Sequence, residues 1–283
     1  MPPMRDLAII MPTRNRPSIA AKNLLRIRKH FPGVPIYVFD DASKDAEALP
    51  AAMSSVPDCS VMRSEKRIGP AGARRRLIEN AQSRWCLALD DDCYPREDFD
   101  PWPWVGMEPG PDDPVIVSFR YLRSYDGDIA PPGDLETGPS RCLMGGASLL
   151  HRASVMAVGN YNAFYIFGAE DADLSFRVWA SGRQVWTDPG NFIIHDHVPA
   201  GRNLPSESYY YVRNRILFNV LSLPLWYGLP LGILQAGKRW LTQPYKLSGL
   251  GGLFAGFFVS MRHFRKRRPL TLAKFRHLQS LRA

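Results

Sequence analysis

Short apolar runs rich in branched residues alternate, through the first half of the chain, with segments whose apolar positions recur at helical spacing. Such alternation marks βα units building a mostly parallel sheet, because each crossover needs an amphipathic helix to cover a strand buried on both faces. The pattern predicts strands at Leu7–Met11, Ile36–Phe39, near Cys59–Met62 and at Trp85–Leu89. Helices are predicted at Ile19–His30, Asp45–Met53 and about Gly69–Ala81. Val115–Phe119, GGASLLHR and FIIH read as further strands, and FGAEDADLSFRVWASG reads as a helix ended by Gly182. The Pro, Gly and Trp content of residues 100–114 breaks the rhythm, and so does a Gly/Pro-rich loop at about Ser124–Pro139.

Three of the predicted strands run into polar loops, MPTRN, FDDASKD and LDDDCYP. In open α/β sheets a ligand sits outside the carboxyl ends of the strands, so three polar loops at three such ends outline one cleft. Within the third, Asp90, Asp91 and Asp92 follow the apolar run CLAL and would repel one another in a partly buried loop unless a cation or hydrogen-bond donors compensated them. Oxygen ligands favour a hard divalent ion, magnesium or manganese, which keeps positions open for phosphate oxygens. A solvated acidic turn is the alternative for such a run standing alone.

Composition adds three constraints. With 283 residues and 45% apolar content, the chain can pack an α/β unit with an appendage. The four cysteines form no CxxC pair, which speaks against a disulfide framework or a structural zinc and for reduced thiols in a cytoplasmic setting. The N-terminal apolar run is too short to resemble a secretory signal, so the chain is expected to stay where it is made.

Charge is unevenly distributed. Residues 208–283 hold thirteen Lys or Arg and no Asp or Glu, which leaves 23 basic against 27 acidic residues in 1–207. A basic appendage is drawn to anionic lipid or nucleic acid. Its uncharged stretch Ile216–Gly237 is interrupted by Pro224, Gly228, Pro230 and Gly232, which argues against a simple spanning helix, and LSGLGGLFAGFFVSM is followed directly by RHFRKRR. An interfacial segment at an anionic membrane surface, peripheral at the inner face, fits this pattern better than nucleic acid does. A homodimer interface or a cover for the main domain is the alternative. The chain is accordingly divided into an α/β domain over 1–207 and a basic, apolar helical extension over 208–283.

Taken in order, IIMPTRNRP, FDDASKD, IGPAGARRRLIENA, LDDD, AEDADLSFRVWASG and FIIH resemble family 2 glycosyltransferases of the GT-A fold, over roughly Leu7–His195. The resemblance implies a nucleotide-diphospho-sugar transferase fold, a Rossmann-like mixed sheet flanked by helices. It implies that Pro12, Thr13 and Arg14 border the nucleotide, that Asp41 accepts from the pyrimidine ring, and that Arg74 lies near the base or the diphosphate. Asp90 and Asp92 would form, with Asp91 between them, the DxD element that holds Mn2+ or Mg2+. Asp92 would be the direct ligand, with His195, or less favourably His197, completing the sphere. Glu170 and Asp171 match the acidic pair facing the acceptor, with Asp171 as general base in an inverting displacement.

Each of these residues also has a bland reading. Asp41 could serve a turn or a helix N-cap, Arg74 a helix surface, and His195 the packing of a strand end. Glu170, Asp171 and Asp173 could simply favour the positive end of a helix dipole. The donor implied is a UDP- or dTDP-linked sugar and the acceptor a saccharide or lipid-linked hydroxyl. The segment YYYVRNRILF resembles one found after the catalytic core in many bacterial members, including rhamnosyltransferase-like proteins, where Arg213 and Asn214 support the acceptor side or simply pack a core helix. No QxxRW-like segment is present, which favours single-sugar transfer over processive synthesis. A metal-dependent nucleotidyl- or phosphotransferase could use the same acidic loop, although no GxxxxGK[ST] phosphate loop appears.

Overall fold

A computed structural model describes residues 6–123, 136–196 and 203–281. The chain begins with β1 (Leu7–Thr13), α1 (Pro17–His30), β2 (Ile36–Asp41), α2 (Ala48–Met53), β3 (Cys59–Ser64), α3 (Gly69–Asn80) and β4 (Trp85–Leu89). There follow β5 (Cys93–Pro95), α4 (Trp102–Val105), β6 (Pro114–Arg123), β7 (Gly138–Pro139), β8 (Ala147–His151), α5 (Arg152–Ala157), α6 (Glu170–Ala180) and β9 (Gln184–His195). Four helices close the chain, α7 (Leu204–Ser222), α8 (Leu225–Thr242), α9 (Lys246–Arg262) and α10 (Leu272–Ser280). His197 and most of the expected Ser124–Pro139 loop lie outside the described residues.

The strands form one mixed sheet in the order β3-β2-β1-β4-β8-β6-β9-β5, with β7 paired to β9. The expected parallel pairing holds for β3-β2-β1-β4 and for β6-β9, while β8 runs antiparallel between β4 and β6. Alternate residues of β1 enter opposite layers. Leu7, Ile9 and Met11 pack with Leu24 and Ile27 of α1, whereas Ala8 and Ile10 pack with Leu77 and Ile78 of α3 and Leu174 of α6. β4 repeats the division, Trp85, Leu87 and Leu89 to one side and Cys86 and Ala88 to the other. Two apolar layers with helices on both faces explain why these strands read as unbroken hydrophobic runs.

The first helices of the C-terminal region are not a separate body. α7 starts at Leu204, so the expected boundary between residues 207 and 208 falls inside it, and Leu217, Phe218 and Leu221 pack with Tyr165 and with Phe176 of α6. None of the described helices is long and apolar enough to cross a membrane.

Candidate functional site

The carboxyl ends of β1, β2 and β4 open into a cavity of about 530 Å³. It is lined by every site residue expected from the sequence within the described region: Pro12, Thr13, Arg14, Asp41, Arg74, Asp90, Asp91, Asp92, Glu170, Asp171 and His195. Its walls also include residues the sequence reading missed, among them Arg16, Arg67, Tyr121, Gly145, Gly146, Glu207 and Tyr211.

The three aspartates after β4 point to three different partners. Asp91 is buried and commits both carboxylate oxygens to the loop after β1, accepting from the Thr13 hydroxyl at 2.7 Å and from Arg16 Nη1 at 2.9 Å. Burial pushes its pKa up to about 6, while Arg16 and Thr13 pull the other way. Its role is therefore to brace two loops, and Arg16 reaches on to Asp92 Oδ2 at 3.3 Å. Asp92 itself turns to the far edge of the sheet. There β5 pairs with the end of β9 in the register Cys93 to His195, and the Asp196 amide donates to the Asp92 carbonyl at 2.9 Å. That pairing sets His195 Nε2 3.3 Å from Asp92 Oδ1.

Asp92, Cys93 and His195 present ligand-type atoms within 4.8 Å of one another. Burial, and the aspartates around it, raise the Cys93 thiol far above its ordinary pKa, so it stays protonated and makes a poor ligand. The carboxylate and the imidazole suit a divalent ion with oxygen and nitrogen preference, and the hydrogen bond His195 donates to Asp92 raises the His195 pKa. A metal fits these residues with positions left for phosphate oxygens.

Asp90 faces the third way. Arg74 is buried in the wall of the cleft, its Nη2 donates to Asp90 Oδ1 at 2.5 Å, and its Nη1 lies 4.0 Å from Asp171 Oδ1. Arg74 is therefore not a surface residue of α3. It bridges the acidic loop to the start of α6, which a fixed planar guanidinium can do where a single ammonium could not. The backbone must slip between these two carboxylates, and the paired glycines before β8 permit it. A Cβ on Gly145 would stand 2.6 Å from Asp171 Oδ2, and one on Gly146 would collide with the Asp90 carboxylate and lie 2.7 Å from the Tyr121 hydroxyl.

At the start of α6 the three acids separate by function. Asp173 is internal, receiving Arg177 Nη2 at 2.6 Å and Asn162 Nδ2 at 2.9 Å, which assigns it to the fold. Glu170 is buried, and Asp171 opens to the cleft with 30% of its side chain exposed. Burial raises the pKa of both, with Arg74 opposing. Glu170 Oε2, Asp171 Oδ1 and Arg74 Nε are buried without a hydrogen-bond partner. Such orphaned groups at one wall mark a place prepared for a polar ligand.

The end of the cleft next to β2 is organised by Asp41. Its carboxylate accepts from the Ile68 amide at 2.6 Å and the Gly69 amide at 2.9 Å, the first donors of α3. Asp41 thus caps a helix distant in sequence, and burial raises its pKa. Each oxygen keeps a further lone pair for a ring N–H. Arg14 and Arg67 line the same end and bring positive charge to it.

The fold is that of GT-A glycosyltransferases, and residues 8–131 match the family model for glycosyl transferase family 2. Over those residues the chain resembles a family 2 glycosyltransferase. Among solved structures, the glycosyltransferase fold aligns with the mannosyltransferase PcManGT from Pyrobaculum calidifontis in complex with GDP-Man and Mn2+, at TM-score 0.59 and 14% identity over 90% of this chain and 87% of that one. It aligns also with S. aureus TarS residues 1–349 in complex with UDP-GlcNAc, at TM-score 0.54 and 12% identity over 92% of each chain. The Pre-mycofactocin glycosyltransferase of Mycobacterium tuberculosis is 23% identical over 215 residues, 69% of this chain. The chain spans 44% of the length of that curated relative.

α7 completes the cleft from outside the residues matched by the family model. Asn214 of α7 donates to the carbonyls of Tyr165 at 3.0 Å, Phe167 at 2.8 Å and Gly168 at 2.6 Å, and Arg213 donates to those of Phe164 and Tyr165 at 2.7 Å each. They clamp the loop that leads into Glu170, where Ile166 and Ala169 hold positive φ angles of 61° and 70°. Non-glycine residues in that region cost about 1–3 kcal/mol each and persist only where surrounding contacts impose them.

Proposed function

We propose that the chain is an inverting, metal-assisted glycosyltransferase that moves a single hexose or deoxyhexose from a nucleotide-diphosphate donor, UDP- or dTDP-linked, to an acceptor hydroxyl. The observation that carries this reading is the convergence, in one cleft, of Asp41, Arg74, Asp90, Asp92, Asp171 and His195 from five separate stretches of chain. Pro12, Thr13, Arg14 and Asp41 hold the nucleotide end. Asp92 and His195, with Asp90, hold the Mn2+ or Mg2+, which when bound supplies positive charge for the leaving diphosphate.

Asp171 takes the proton from the acceptor hydroxyl as that oxygen attacks the anomeric carbon opposite the diphosphate, so a single displacement inverts the centre. Its raised pKa makes it a stronger base than a solvated aspartate, and Arg74 keeps enough positive charge nearby to leave it ionised near neutrality. Glu170 sets the charge of the same wall. The complexes of PcManGT with GDP-Man and Mn2+, and of GalNAc-T7 with UDP, GalNAc and Mn2+, support a metal and a nucleotide sugar here as well.

A thermal-shift screen of nucleotide diphosphates and nucleotide sugars, with and without manganese, tests the donor half, because a ligand bound by the native state raises its stability. A metal-dependent rise with a uridine or thymidine diphosphate is expected. No shift with any nucleotide diphosphate, at concentrations that saturate ordinary glycosyltransferases, would contradict it.

A further inference from the structure

Helices α8 and α9 are built inside out. α8 turns Gly228, Gly232 and Ala236 inward, and α9 turns Gly249, Gly252 and Gly256 inward. The backbones approach closely there. A Cβ on Gly256 would stand 3.0 Å from the Arg213 carbonyl oxygen of α7, and one on Gly232 3.2 Å from the Ile216 Cα. The large apolar side chains of the same helices point the other way, with Leu247 87%, Phe258 76% and Trp226 71% exposed. Of sixteen large hydrophobic residues exposed among the described residues, twelve lie between Leu225 and Met261. That concentration on two consecutive helices is not the scatter of single residues that any soluble surface shows.

A helix facing water turns its large apolar residues inward. Small residues at helix contacts with large apolar ones outside are what a helix adopts when its outer solvent is lipid. Neither helix is long and apolar enough to cross a bilayer, and Pro230, Lys238 and Arg239 interrupt α8, so the pair lies along the surface. Charge selects the occupant of this face. Residues 208–283 carry thirteen basic and no acidic residues, so two copies facing one another would repel, whereas anionic headgroups would be attracted.

The α8–α9 pair is joined to the cleft through α7. That helix carries Glu207 and Tyr211 in the cavity wall, Tyr211 meets Phe167 of the loop before Glu170 with ring centres 5.3 Å apart, and Arg239 of α8 lies 4.6 Å above the Tyr211 ring. We infer that the α8–α9 pair lies in the headgroup layer of an anionic membrane and that the acceptor hydroxyl is carried by an amphiphile resident in that membrane. The second half rests on the glycosyltransferase reading, and the first half does not.

Flotation of the full chain on phosphatidylcholine vesicles, with and without phosphatidylglycerol, tests the docking. The chain is expected to float with phosphatidylglycerol vesicles. The triple variant Leu247→Ser, Phe254→Ser, Phe258→Ser keeps every charge and is expected to lower the vesicle partition by about a hundredfold or more. The quadruple variant Lys238→Gln, Arg262→Gln, Arg265→Gln, Arg268→Gln should reduce binding to the level seen without phosphatidylglycerol. Both should keep the thermal shift given by UDP with manganese, which shows them folded. Undiminished flotation of the triple variant overturns the docking. So does light scattering that finds a wild-type dimer broken by those three substitutions.

For the acceptor, the nucleotide sugar giving the largest thermal shift is supplied with a labelled sugar and vesicles of a bacterial polar-lipid extract. Label entering the organic phase supports a membrane amphiphile, and label confined to the aqueous phase overturns it. Loss of nucleotide binding with flotation intact would instead remove the glycosyltransferase reading and leave the docking standing.

Discussion

The Arg74 guanidinium stands 4.0 Å from the Asp171 carboxylate while donating, through its other terminal nitrogen, to Asp90 at 2.5 Å. One buried cation therefore sets the distance and the charge balance between the acidic loop after β4 and the start of α6. Replacing it by Met leaves two carboxylates facing each other. Because Asp90 and Asp171 are partly open to water, the cost in stability is expected at roughly 1–3 kcal/mol, below that of a fully buried pair. Turnover should fall by about a hundredfold, and Arg74→Lys, which supplies one point charge, should recover little of it. Steady-state kinetics beside urea unfolding separates the two effects.

Asp171→Asn removes the proton acceptor and keeps the shape. The expected loss in kcat is on the order of 10²–10⁴, the usual contribution of a positioned base. Nucleotide binding with manganese should be unchanged by thermal shift, and a variant that transfers sugar at near-normal rate would show that the base lies elsewhere.

The pH profile follows from the direction of the carboxyl shifts. Burial raises the pKa of Glu170 and Asp171, so each holds its proton to higher pH than a free carboxyl. Only the ionised form can take the acceptor's proton, hence kcat should rise with pH through the weakly acidic range and level off above it. A profile flat from pH 5 to neutrality would be inconsistent with this assignment.

His195→Ala and Asp92→Asn should both weaken the manganese dependence of nucleotide binding. The expected effect is about 10–100-fold in the manganese concentration needed for half the thermal shift, larger for Asp92. Cys93→Ser should have little effect on it, since a thiol held protonated contributes no ligand.

Asn214→Ala would leave the carbonyls of Tyr165, Phe167 and Gly168 without their common donor. At about 1–3 kcal/mol for a buried group left unpaired, a destabilisation of roughly 2–4 kcal/mol is expected. Because the loop positions Glu170 and Asp171, kcat should fall more than nucleotide affinity does. Equal loss in both would assign Asn214 to general stability alone.

Much of this was legible in the chain because it is local. Strand runs such as Leu7–Met11 and Trp85–Leu89, the helices between them, and the acidic loops at the strand ends follow from periodicity and turn chemistry among near neighbours, and the structure moves the ends of these elements by three residues at most. The short β5 was missed, since three residues give no periodicity, and yet its pairing with β9 is what brings Asp92 to His195.

Sequence alone determined which residue types gather at the carboxyl ends of the strands, since a run of carboxylates after a buried strand demands compensation wherever it folds. Only the tertiary structure decided how the labour is divided: Asp91 to a brace with Thr13 and Arg16, Asp90 to Arg74, Asp92 to His195, and Asp41 to the first amides of α3. Three adjacent aspartates are identical as letters, and what separates them is the direction each side chain takes from its turn and the partner that a strand tens of residues away delivers to that point. The same holds for α7, whose Arg213 and Asn214 acquire meaning only when packing sets them against the loop before Glu170.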